Sequence, residues 1–204
     1  MAVTIKPSFH HVTLKTSRLP QMVDWYKTLV GTEVLFQNDT NAWASNDEAN
    51  HRLAFLAVPG LEDDPDKIKH NGIHHSAFEY ASFSDLMSSF DRLREHGIMP
   101  VFCLNHGSTM SLYYEDPEGN YLELQSDNFG DWKQSSDFIR TSDDFRANPI
   151  GTFFDPAKVY DAHIAGQPFE ILHPAIRKGN FVPDSIIDIG LPEKSADRSQ
   201  APGV

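Results

Sequence analysis

The chain has 204 residues, 40% of them hydrophobic, enough for one domain with a real apolar core plus an extension. A formal net charge of −12 is a poor match to a phosphate backbone, and no basic stripe interleaved with aromatics points to nucleic acid. Cys103 is the single cysteine, so an intrachain disulfide is excluded and the cytoplasm is the expected compartment; no signal-like start or long apolar run points to a membrane.

The first strand signal follows His10 and His11. Val12 and Leu14 take one face, which leaves His11 and Thr13 on the other and turns His10 toward the helix layer. Leu19, Met22, Val23, Tyr26, Leu29 and Val30 then recur at helical spacing and stop at Gly31, suited to a left-handed cap. Extended stretches over 32–36 and 51–58 complete this half, the second opening His51-Arg-Leu-Ala-Phe.

The pattern then starts again. His74 and His75 lead a strand in which Phe78 faces one way, His74 with it, and His75 the other. Ser82 and Asp85 resemble a capping box ahead of a helix over 84–96, which carries Leu86, Phe90 and Leu93 and closes at Gly97. Strands are expected over 98–102, 110–114 and 121–125. The last two are joined by Asp116-Pro-Glu-Gly119, a turn that aims the following strand, where Leu122 and Leu124 share the apolar face and Glu123 the opposite one.

Landmarks of the two halves keep their spacing: Gly31 and Gly97, like Phe36 and Phe102, stand 66 positions apart, and His11 and His75 stand 64 apart. Each half therefore reads as a β-α-β-β-β unit. The expected fold is α+β, a domain over 9–126 whose repeats, about 9–60 and 73–126, form a half-barrel metal cleft. A lone strand histidine is ordinarily structural, and Tyr113 alone would read as a core aromatic. As a set within a repeat, His11, His75 and Glu123 instead make two imidazoles and a carboxylate with open coordination positions, which suits non-haem Fe(II). Over 127–192 the chain carries Trp132, Phe138, Phe145, Phe153, Phe154, Tyr160 and Phe169, an extension expected to pack over the cleft or on a neighbouring subunit. Residues 193–204 are polar, charged and short of apolar side chains, and a disordered tail is expected there.

These residues resemble the vicinal oxygen chelate superfamily and, within it, the single-module type I extradiol ring-cleavage dioxygenases of the biphenyl-2,3-diol type. The resemblance is sharpest where His106 is followed, after five residues, by Leu112-Tyr113, then two residues on by Asp116-Pro-Glu-Gly119 and finally Glu123. Leu104 departs from the pattern, which usually has a small, polar or β-branched residue there. The resemblance implies Fe(II), or Mn(II) as in some relatives, on His11, His75 and Glu123. It implies that Tyr113 hydrogen-bonds the catecholate, that His106 stabilises oxygen intermediates and that His51 acts as acid and base. The partners would be a small aromatic diol and dioxygen, the product a ring-opened semialdehyde, and the protein a homo-oligomer. A glyoxalase-like isomerase or lyase would normally draw a second carboxylate from the first half, yet residues 51–60 contain no Asp or Glu. A non-catalytic small-molecule binder would need no metal set.

Overall fold

The computed structural model describes residues 4–186 and Ile189; the tail expected over 193–204 lies outside the described residues. The first half supplies β1 (Val12–Thr16), α1 (Leu19–Val30), β2 (Glu33–Gln37), β3 (Asn41–Ser45) and β4 (Leu53–Ala57). The second half supplies β5 (His75–Tyr80), α2 (Phe83–Glu95), β6 (Phe102–Asn105), β7 (Thr109–Glu115) and β8 (Tyr121–Asp127). After these come α3 (Trp132–Thr141), α4 (Asp143–Ala147), β9 (Thr152–Phe153), α5 (Pro156–Ile164) and α6 (Phe169–Arg177). The strand orders are β1-β4-β3-β2 and β5-β8-β7-β6-β9, so the two halves share one topology and β9 adds an edge strand to the second. No described helix is long and apolar enough to cross a membrane.

The chain divides into two compact units. One comprises residues up to Lys67 with His74–Ser76 and Glu115–Leu122. Its helix α1 forms where the periodic stripe predicts, burying Leu19, Met22, Val23, Tyr26 and Leu29. Gly31 ends it in the left-handed region at φ 69°, its N–H bonded to the Lys27 carbonyl. Strands β1 and β4 pair in parallel, Val12 opposite Leu53, and β3 pairs antiparallel with both β2 and β4. The middle strand β3, Asn-Ala-Trp-Ala-Ser, hides Ala42 and Ala44 and leaves Trp43 exposed, the alternation of a sheet with one covered face.

The other unit comprises Ile68–Ile73, Ala77–Tyr114 and the described residues from Glu123 onward. Ser82 caps α2 by accepting from the Asp85 amide at 3.1 Å, and Phe83, Leu86, Met87, Phe90 and Leu93 are buried. The strand expected over 98–102 begins only at Phe102. The Ile98 amide goes back to the Leu93 carbonyl of α2 at 2.9 Å, Pro100 has no N–H for a ladder, and Val101 is the first to donate across the sheet, to the Tyr113 carbonyl at 2.7 Å. The aromatics beyond Asp127 pack on this unit: Phe169 lies 4.7 Å from Phe83 and Tyr160 6.1 Å from Phe90 between ring centroids, and Phe154 is fully buried. Phe129 and Trp132 are more exposed, at 38% and 71%, and the Trp132 indole N–H donates to Glu79.

Candidate active site

His11 stands one residue before β1, and His75 is the first residue of β5. Each is flanked by its preceding histidine in the same way: His10 Nδ1 lies 3.0 Å from His11 Nδ1, and His74 Nδ1 lies 2.8 Å from His75 Nδ1. The expectation that His10 and His74 pack toward a helix layer is not met, because both are exposed. Strand alternation does not govern them, since the ladder starts at Val12, whose amide bonds the Arg52 carbonyl. An imidazole that uses Nδ1 in a hydrogen bond presents Nε2 outward, which is how metal-bound histidines are commonly oriented by a neighbour. The repeated dipeptide thus brings two imidazoles together at the start of each half, a pairing that spacing alone did not reveal.

His51 precedes β4 and joins the first pair. Its ring centroid is 4.3 Å from that of His11 and 5.1 Å from that of His10, and one ligand atom from each of the three lies within 4.8 Å of the others. Partial desolvation, then the nearby charges of His11 and His10, lower its pKa below the ordinary histidine value. At neutral pH the imidazole is therefore neutral and able to accept a proton. The aromatic row continues across the sheet: Trp43 lies 6.3 Å from His51 and 5.1 Å from Phe36, its cross-strand partner. Trp43 is 41% and Phe36 43% exposed, an aromatic surface that the sequence reading did not single out.

The Asp-Pro-Glu-Gly turn does more than reverse the chain. Buried Asp116 accepts from the Glu118 and Asn120 amides on Oδ1, and from the Tyr26 hydroxyl and the Asn120 side chain on Oδ2. Glu118 accepts from Thr16 Oγ1 at 2.6 Å, the Ser17 amide at 2.8 Å and Arg18 at 2.6 Å. Burial works against its charge, but these hydrogen bonds and the guanidinium prevail and hold its carboxyl below the usual range. The turn is thereby tied to the junction of β1 and α1, just after the first histidine pair.

In the second unit, Glu123, Tyr113 and His106 form one chain of hydrogen bonds. The Tyr113 hydroxyl donates to Glu123 Oε1 at 2.9 Å, and His106 Nε2 lies 2.9 Å from the same hydroxyl. A phenol has one proton, and here it goes to the carboxylate, so His106 donates from Nε2 and carries its hydrogen there. Burial first, then the charge of Glu123, raise the Tyr113 pKa well above the usual tyrosine value and keep it protonated. Glu123 itself is only 5% exposed, and the ring of Tyr113 stacks on Phe102 at 4.3 Å. The spacing of His106, Tyr113 and Glu123 thus translates into direct contact within one unit, where β7 carries Tyr113 and β8 carries Glu123.

Residues 8–124 match the Glyoxalase/Bleomycin resistance protein/Dioxygenase superfamily. The chain is 36% identical to biphenyl-2,3-diol 1,2-dioxygenase 2 of Rhodococcus globerulus over 168 residues, covering 82% of this chain and 87% of that one. It is also 36% identical to biphenyl-2,3-diol 1,2-dioxygenase 3 of the same organism over 169 residues, 81% of this chain and 87% of the relative. A glyoxylase/bleomycin resistance protein/dioxygenase domain from Frankia sp. EAN1pec shares the fold at 20% identity, with a TM-score of 0.50 over 60% of this chain and 93% of its own. A glyoxalase/dioxygenase from Nostoc punctiforme does so at 16% identity and a TM-score of 0.50, over 62% of this chain and 98% of its own. With the repeated topology, the matched residues and the close relatives all in agreement, the chain belongs to the glyoxalase/bleomycin resistance protein/dioxygenase superfamily, on its extradiol dioxygenase side.

Proposed function

We propose that the protein opens the aromatic ring of a biphenyl-2,3-diol-type catechol with dioxygen, using Fe(II) held by His11, His75 and Glu123. The observation that carries this reading is the hydrogen-bonded chain His106–Tyr113–Glu123, which links the two residues before the turn to the carboxylate after it. The activity named for the two Rhodococcus relatives supports the substrate class. The donor set fits the ion: Glu123 is a buried carboxylate, and His11 and His75 each have a histidine at Nδ1 that favours presentation of Nε2. Bound there, the ion would make a catechol easier to deprotonate and offer dioxygen an adjacent position.

The protein's own groups would do the rest. Neutral His51 takes a phenolic proton and later returns one. Tyr113 stays protonated and fixes the orientation of Glu123, while His106, whose Nε2 hydrogen rests on the Tyr113 hydroxyl before reaction, would hand that donor to negative charge as it develops on oxygen. Phe36 and Trp43 offer aromatic faces to a second ring on the substrate. The test is reaction of the Fe(II)-reconstituted protein with 2,3-dihydroxybiphenyl. Oxygen uptake should equal diol consumption mole for mole, with a yellow ring-opened product, and His11→Ala, His75→Ala and Glu123→Ala should each lose bound iron and turnover. If the protein opens no catechol but isomerises the hemithioacetal of methylglyoxal and glutathione, the isomerase reading replaces this one.

A further inference from the structure

The segment beyond Asp127 converges on three residues, Asn105, His106 and Gly107, at the end of β6. Arg177, near the C-terminal end of α6, donates from one terminal nitrogen to the Asn105 carbonyl at 3.1 Å. Its other donors lock the guanidinium in place: Nε to the Asp144 carboxylate at 2.9 Å, and the second terminal nitrogen to the carbonyls of Asn148 at 2.9 Å and Asp144 at 3.3 Å. The Arg177 side chain is 11% exposed, so these bonds are shielded from water.

Three further contacts grip the same turn. Strand β9 pairs with the end of β6, Thr152 opposite Asn105, and Gly151 passes so close that any Cβ there would overlap the Asn105 carbonyl. The Phe138 ring of α3 lies against Gly107, where a Cβ would come within 2.9 Å of it. The Asn105 side chain spans the turn, accepting from the Gly107 amide at 2.8 Å and donating to the His173 carbonyl of α6 at 3.2 Å. α3, β9 and α6 all touch the neighbours of His106 in sequence, while the His106 imidazole makes the 2.9 Å contact with Tyr113.

We infer that the C-terminal extension works as a buttress for His106, and that Arg177 is a positioning residue acting through it. The turn closes with the His106 amide on the Thr109 carbonyl at 3.0 Å, and Asn128, where the extension begins, adds its amide to the Ser108 carbonyl at 2.8 Å and its side chain to the Gly107 carbonyl at 3.0 Å. A displacement near 1 Å would open the contact to Tyr113, and misplacement of that size typically costs about 10²-fold in rate. Arg suits the role because its planar fork reaches acceptors on several sides at once, which an ammonium on the same stem does not. This inference rests on the dioxygenase reading for its kinetic consequence, but not for the contact itself.

The test uses the iron-loaded full chain. Arg177→Lys keeps the stem and the charge, so the fold should hold, yet kcat should fall about 10-fold with KM within about 2-fold. In a His106→Ala background the same substitution should change kcat less than about 2-fold, because the group through which Arg177 acts is already gone. By NMR of the metal-free protein, the His106 imidazole signals, assigned by their loss in His106→Gln, should shift in Arg177→Lys while those of His51 stay in place. Arg177→Ala should show the same pattern more strongly. Equal kcat losses in both backgrounds, or unmoved His106 signals with wild-type kcat, would overturn the inference. If wild-type protein opens no catechol, the dioxygenase reading fails, and the imidazole signals still decide whether Arg177 positions His106.

Discussion

At the scale of single residues, the histidines that flank the proposed ligands carry the first prediction. If His10 and His74 orient His11 and His75 through Nδ1, then His10→Ala and His74→Ala should each weaken Fe(II) binding about 10- to 100-fold without abolishing it, as read by competition with a chelating dye. Unchanged affinity in both would remove the orienting role. Glu118 carries the second. Its carboxyl is held below the usual glutamate range by Thr16, Ser17 and Arg18, so its stabilising effect is fully present above the unfolded-state pKa and disappears as pH falls through the folded value. Glu118→Gln should therefore destabilise by about 1–3 kcal/mol at pH 7 in urea denaturation, with the difference shrinking as the pH drops below about 4. Both roles were invisible in the sequence. Spacing marks a histidine or a turn, but not which nitrogen meets a neighbour or which carboxylate reaches back a hundred positions.

At the scale of elements, α1 was legible to the residue because its apolar stripe and terminal glycine agree. The strand before Cys103 was not, because Met99-Pro-Val looks extended but has no amide at Pro100 for a ladder. The capping of α2 was legible as well, and Ser82→Ala should cost about 1 kcal/mol in thermal or urea unfolding, with the helix otherwise intact. Gly151 is the element-scale position that only the fold explains. At φ 105°, with the Asn105 carbonyl where its Cβ would lie, Gly151→Ala should be destabilising by about 2 kcal/mol or more. Loss of the His106 imidazole signals to broadening in that variant would place the damage at the turn.

At the scale of the whole molecule, the cores are built from apolar side chains. One is built on Met22, Tyr26, Leu29, Leu53 and Phe55, the other on Leu86, Met87, Phe90, Leu93, Leu104 and Phe154. Chelation should abolish oxygen uptake while leaving the circular dichroism spectrum unchanged, and Fe(II) should restore uptake; unfolding on chelation would show that the ion is structural. The sequence by itself determined the repeat, and with it the α+β topology of two like sheets, because hydrophobic period and glycine caps are local properties that a twofold comparison makes unambiguous. It also determined which residues to consider for chemistry, since His106, Tyr113 and Glu123 stand at a spacing that two adjacent strands convert into contact. Only the tertiary structure decided how those residues are held. The histidine pairs, the anchorage of Glu118 and the grip of Arg177 on the Asn105 carbonyl join positions by direction and distance, and those depend on packing that no local pattern encodes.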